Sequence, residues 1–255
     1  MKYFQLIYDN EFDESLNISK DLSSFSNLVS LCLQANYGRH LGSNKFQMFI
    51  YQQDFPFLRR LQLNGNVFDY TLQIPYTELK PNFPLLQHLD VGTLHINFAL
   101  EILNKCPQLR SFSAKLCCDT TKDTIIPFNT YLPALKVLKL RGDTDFGNGF
   151  GTEFLEHFLP FCSNIHTFMF QIHCRNTWED LLKADWWSHV LVSNRKIKKI
   201  TLNFKWSIRF SLYRWLDEVK CFELSPFFTS LNTSIRTKVD CDPMTRADIY
   251  VFIEN

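Results

Sequence analysis

One short frame limits what this chain can fold into. Residues 55–66 carry Leu58-x-x-Leu61-x-Leu63-x-x-Asn66, and the centre, Arg60 to Asn64, alternates polar and apolar. On an extended chain Leu61 and Leu63 point to one face and Arg60, Gln62 and Asn64 to the other. Asn66 can turn its amide onto the backbone of the turn that follows. The frame then recurs: Leu28-x-x-Leu31-x-Leu33-x-x-Asn36, Leu86-x-x-Leu89-x-Val91 (ending at Leu94), Leu109-x-x-Phe112-x-Ala114-x-x-Cys117, Leu135-x-x-Leu138-x-Leu140-x-x-Asp143, Ile165-x-x-Phe168-x-Phe170-x-x-His173 and Ile197-x-x-Ile200-x-Leu202. A degenerate first copy starts at Met1, with Phe4, Leu6 and Asp9 in place. Successive anchors lie 27, 30, 28, 23, 26, 30 and 32 residues apart. A series at this period is the mark of stacked structural units, each giving one strand to a parallel sheet.

The frame has the form of a leucine-rich repeat. Six copies are also introduced by a punctuating residue and a polar or Pro step: Phe25-Ser26, Phe55-Pro56, Phe83-Pro84, Cys106-Pro107, Leu132-Pro133 and Cys162-Ser163. Proline lacks an N–H and disfavours helix before it, so it ends what precedes and sets up extended chain. The stretch Cys106-Pro-x-Leu-x-x-Phe-x-Ala-x-x-Cys117 resembles the cysteine-containing repeats of F-box/leucine-rich-repeat proteins, the substrate receptors of cullin–RING ubiquitin ligases. The resemblance covers residues 1 to about 205. The helical F-box itself, with its Leu-Pro-x-Glu pattern, is not found. The resemblance implies an α/β leucine-rich-repeat solenoid, an arc with a curved parallel sheet on its concave face and short helices and loops on its convex face. Residues 1–205 form seven or eight irregular repeats and residues 206–255 a C-terminal cap, because a solenoid exposes its apolar interior at each end. The cap is expected as a helical segment plus a hairpin, Ser234 to Cys241 and Ala247 to Ile253.

Between the strands, Asn44 to Gln53 reads as a helix, and Asn97 as the cap of a helix from Phe98 to Lys105. Thr152 caps Glu153 to Phe161, where Phe154, Leu155, Phe158 and Leu159 fall at helical spacing. The longest helix is expected from Trp178 to Val192, behind a capping box at Thr177-x-x-Asp180. Its Trp178, Trp186 and Trp187 could line an aromatic ligand cage, but packing on the sheet is the stronger reading, since aromatics dominate core area. Phenylalanine is abundant, 25 residues against 8 Gly, which suits the wide interior of irregular repeats.

The charge balance, 27 basic to 26 acidic residues, gives no overall drive toward nucleic acid or an anionic membrane. No apolar run reaches the ~18 residues of a membrane span, and the N-terminal stretch has no signal-peptide core. A cytoplasmic or nuclear monomer is expected. The eight cysteines include no Cys-x-x-Cys pair, so they read as reduced thiols with no zinc site. Cys106 and Cys162, at equivalent repeat positions, read as small buried filling. Cys117-Cys118 and His173-Cys174 are the weak metal candidates. The sequons at Asn17 and Asn232 are expected to be unused in a cytoplasmic or nuclear compartment, and the Arg141-Gly142-Asp143 tripeptide, at a strand end, is read as repeat structure. No nucleophile elbow, phosphate loop or His-Glu-x-x-His occurs, so no catalytic residue, metal or cofactor is assigned, and an enzyme with an unrecognised Cys/His site stays the weaker alternative.

A binding scaffold follows. Its partner surface is placed on the outward strand positions: Arg60, Gln62, Asn64, His88, Asp90, Lys115, Lys139, Arg141, Gln171 and Lys199. Five of the outward positions are basic (Arg60, Lys115, Lys139, Arg141, Lys199) and one acidic (Asp90), which would steer an acidic protein. No aromatics interleave these charges as a single-stranded nucleic-acid site requires. The partner is either a ubiquitination substrate or, as in ribonuclease-inhibitor-like repeats, a protein that is occluded.

Overall fold

The recurring frame sets the strands. The computed structural model describes residues 3–8, 27–35, 54–64, 83–117, 127–142, 150–174, 181, 183–194, 196–208, 220–242 and 246–255. Seven strands fall on seven frames: β1 Tyr3–Tyr8, β2 Ser30–Ala35, β3 Arg60–Asn64, β4 His88–His95, β5 Ser111–Cys117, β6 Val137–Gly142 and β7 Thr167–Cys174. The eighth frame gives β8, Lys199–Ile208, and the C-terminal hairpin gives β9, Ser234–Asp242, and β10, Arg246–Glu254. Among the described residues, α1 Ile96–Lys105, α2 Phe150–Phe158, α3 Ala184–Leu191 and α4 Pro226–Ser230 accompany them. The class is mixed α/β, with one open, mainly parallel sheet of ten strands in the order β1-β2-β3-β4-β5-β6-β7-β8-β10-β9. None of the described helices is long and apolar enough to cross a membrane.

The chain packs as two compact units. The first comprises Met1–Lys115 with Phe128–Leu135, and the second Leu116–Pro127 with Lys136–Asn255.

In the first unit β1 to β4 pair in parallel, and the frame positions fall opposite one another. Leu31 faces Leu61 and Leu61 faces Leu89; Leu33 faces Leu63 and Leu63 faces Val91. All are buried. The entries to β3, β4 and β5 are alike. The first anchor donates its N–H to the carbonyl three residues back: Leu58 to Phe55, Leu86 to Phe83, Leu109 to Cys106, all at 3.1 Å. Pro56, Pro84 and Pro107 follow those acceptors, the position at which proline's fixed φ suits a turn. The punctuation thus builds a reversal and not only a stop. The carbonyl of Val29 then accepts from both Arg59 and Arg60, and that of Arg59 from both Gln87 and His88. Phe55 and Phe83 stack beneath, ring centres 6.2 Å apart.

Helix α1 starts earlier than its sequence suggests. His95, not Asn97, is the N-cap, and its Nδ1 accepts from the Asn97 N–H at 3.3 Å. Asn97 lies inside the helix and is buried. The apolar residues Ile96, Phe98, Ala99, Leu100, Ile102 and Leu103 are buried as well.

The second unit continues the device. Leu138 faces Phe168 and Phe168 faces Ile200, while Leu140, Phe170 and Leu202 form the next layer. Ile197 donates to the Asn194 carbonyl at 3.1 Å, as Leu135 does to that of Leu132 at 3.2 Å within the first unit. Asn194, fully buried, also donates its amide to the Leu159 carbonyl at 3.3 Å. Helix α2 begins at Phe150, so Thr152 sits within it and is not its cap. Pro160 has no N–H to continue the ladder, and Leu159–Phe161 tighten to a 3₁₀ turn.

Helix α3 is short and starts at Ala184 after an extended Lys183 (φ −85°, ψ 115°) that makes no side-chain cap. The expected capping box at 177–180 and Trp178 lie outside the described residues, as does the helix expected at 44–53. The longest described helix is therefore α1, with 10 residues against 8. The hairpin expected at the C-terminus is present, behind helical residues 220–224 and α4. Its strand β10 pairs antiparallel with β8, placing the buried Val251 and Ile253 beside Phe204 and Leu202.

Candidate functional site

Strand alternation decides which side chains reach solvent. On β2 to β8 the frame residues between the polar positions are buried, so the polar residues must stand on the opposite face of the sheet. In the first unit Ser30, Arg60 and His88 form one row, and Cys32, Gln62 and Asp90 the next. Arg60 and His88 are exposed, while Gln62 and Asp90 are half-buried. Arg60 donates to the side-chain amide oxygen Oε1 of Gln62 at 3.4 Å. Asn64 pairs with Gln34 in the ladder. Lys115 is half-buried on β5.

The charges around His88 have a chemical consequence. Neighbouring side chains screen part of the ring from water. That partial burial, then the positive charges of Arg60 and Arg110, holds the imidazole below its ordinary pKa. Protonation of the ring is thus disfavoured. On the adjacent row partial burial raises the Cys32 thiol, Arg60 opposing and Asp90 reinforcing the rise.

In the second unit Lys139 and Arg141 are exposed on β6, between buried Leu138 and Leu140. Gln171 stands beside Arg141, and Asn203 beside Gln171. Lys199 is exposed opposite Thr167. The expected residues thus assemble in two groups, each on one face of its own unit: Arg60, Gln62, His88 and Asp90 in the first, Lys139, Arg141, Gln171 and Lys199 in the second.

Two features of this face escape a reading of the frame. Thr201, an outward position, is only 7% exposed. The cause is β10, which sets Glu254 directly against it. The hairpin also prolongs the polar rows, so that Arg141, Gln171, Asn203, Phe252 and Arg236 follow one another across five strands. Arg236 is ion-paired with Glu254.

Trp186 and Trp187 serve packing. Trp187 is fully buried, with ring centres of Phe168, Phe170 and Phe204 at 6.0, 5.4 and 6.2 Å. Trp186 meets it edge-on at 4.8 Å and donates to Glu156 at 2.6 Å. Cys106 and Cys162 are buried thiols whose Sγ atoms point at the carbonyls of Phe83 and Phe158. Burial pushes the Cys106 thiol up to about 12 and that of Cys162 higher still. Among the described residues no three of His, Cys, Asp and Glu gather as a metal site would need. Cys118 and the side chains of His173 and Cys174 lie outside them. No family model matches this chain, and neither the curated proteins nor the solved structures contain a match to it.

Proposed function

We propose that this chain is a non-enzymatic interaction scaffold of the leucine-rich-repeat type, which binds an acidic protein through the polar strand face of its second unit. One observation carries the reading. The outward positions of β6 to β8, Val137, Lys139, Arg141, Thr167, Met169, Gln171, Lys199, Thr201 and Asn203, hold three cations and no acidic residue. The chain as a whole is balanced. Such local asymmetry steers oppositely charged partners and fixes their orientation more than it raises affinity. The repeated turn, ladder and layer supports the repeat type. The resemblance of Cys106 to Cys117 to F-box/leucine-rich-repeat proteins supports the further reading that the partner is a ubiquitination substrate.

The test compares wild type with Lys139→Glu/Arg141→Glu in a pull-down. Both side chains are exposed, so circular dichroism should be unchanged. The wild type should retain an acidic protein that is released by salt, and the variant should not. Equal recovery by both proteins refutes the site. Co-recovery of cullin–RING subunits with the wild type is the result expected of a substrate receptor.

A further inference from the structure

Strand β9 ends the strand order, paired with β10 along one edge. No described strand pairs with its other edge. It is 9 residues long and contains no proline. A long open edge offers a row of backbone donors and acceptors to another chain, and proteins commonly blunt such edges with scattered charge. Here the charges are ordered. Arg236 and Lys238 precede Val239, and Asp240 and Asp242 follow it. These four positions alternate along the strand and share one face.

A copy of the strand laid antiparallel, with a twofold axis at Val239, sets Arg236 opposite Asp242 and Lys238 opposite Asp240, each twice. Every charge then meets its opposite. A parallel copy in register would set like against like. Arg236 already pairs with Glu254, but a guanidinium has five N–H donors and can hold a second carboxylate. Both Arg236 and Lys238 are exposed.

We infer that β9 is a self-docking edge, through which two copies of this chain associate antiparallel about a twofold axis at Val239. The sheet continues from one copy into the other. Because the interface is isologous, assembly closes at two. This departs from the monomer expected of the sequence, because the charge order matters only once β9 is known to lie at an edge.

Sedimentation equilibrium on wild type, Lys238→Asp and Lys238→Asp/Asp240→Lys tests it, with circular dichroism confirming the fold of each. Wild type should dimerise with a dissociation constant in the range of about 1–100 µM, as suits a small interface. The single reversal turns two attractions into two repulsions and should weaken the dimer about tenfold or more. The double variant restores opposite pairs and should return within about threefold of wild type. Val239→Cys should form a disulfide-linked dimer on mild oxidation, since only a twofold at this residue brings it against itself. A wild type still monomeric at ~100 µM, a dimer indifferent to the reversal, a double variant that is not rescued, or assembly beyond two would each overturn the proposal.

Discussion

Removing the indole of Trp187 should cost the second unit more than any other single truncation of its core. The ring lies between α3 and the sheet, against Phe168, Phe170 and Phe204, which are inward residues of β7 and β8. Its Nε1 donates to the Leu181 carbonyl at 2.8 Å. Trp187→Ala removes this packing and leaves a void, a change worth about 4 kcal/mol. It also strands the buried carbonyl, for about 1 kcal/mol more. Trp187→Phe keeps much of the contact and loses the hydrogen bond, so about 2 kcal/mol is expected. Urea unfolding followed by circular dichroism reads both. With a slope of about 2–3 kcal/mol per molar urea, the alanine variant should unfold roughly 2 M earlier and the phenylalanine variant about 1 M earlier. A shift under about 0.5 M for the alanine variant would show that Trp187 does not anchor α3 to the strands. Equal shifts for both variants would show that the hydrogen bond, and not the ring, holds it.

Leu61 is fully buried between Leu31 and Leu89. Leu61→Asp places an unpaired carboxylate there and should destabilise by more than about 4 kcal/mol, read as loss of soluble, folded protein. An NMR titration of His88 should give a midpoint below 6.5, and Arg60→Gln should raise it part of the way, leaving the shift due to burial and Arg110. The sign for stability follows: because the folded ring resists protonation, His88 subtracts stability as pH falls through 6.5 toward its lowered pKa, and has no effect above 6.5. Brief alkylation of the folded protein should label exposed Cys221 before buried Cys106 and Cys162, whose raised pKa values keep them protonated. After denaturation without reductant all eight thiols should react.

The strands were legible because their pattern is local. A period of two in Leu61-Gln62-Leu63 commits both faces at once, and slipping by one residue would expose every anchor. Lys139 and Arg141 could therefore be placed outward with no knowledge of their neighbours, and they are exposed. Helix starts were less legible because several residues compete for the same cap. Asn97 is the better capping type, yet His95 accepts the bond, and Asn97 is drawn into the core by the packing of Ile96 and Phe98. Asn194 is a second such case. It supplies the turn carbonyl for Ile197 that Phe55 and Phe83 supply elsewhere, but its side-chain bond to Leu159 spans 35 residues, and nothing near it in sequence signals the role.

Thr201 shows most plainly why the face could be only partly read. By alternation it belongs with Lys199 and Asn203 on the outward side, and the backbone puts it there. Its burial comes from Glu254, brought alongside by a strand more than forty residues later that runs the other way. The antiparallel register of β8 and β10 is written in neither strand's frame, because the frame encodes parallel stacking of like on like. The same pairing leaves β9 at the edge of the sheet. A charge order that has no meaning along the chain acquires one there, since only an edge can present Arg236, Lys238, Asp240 and Asp242 to another strand.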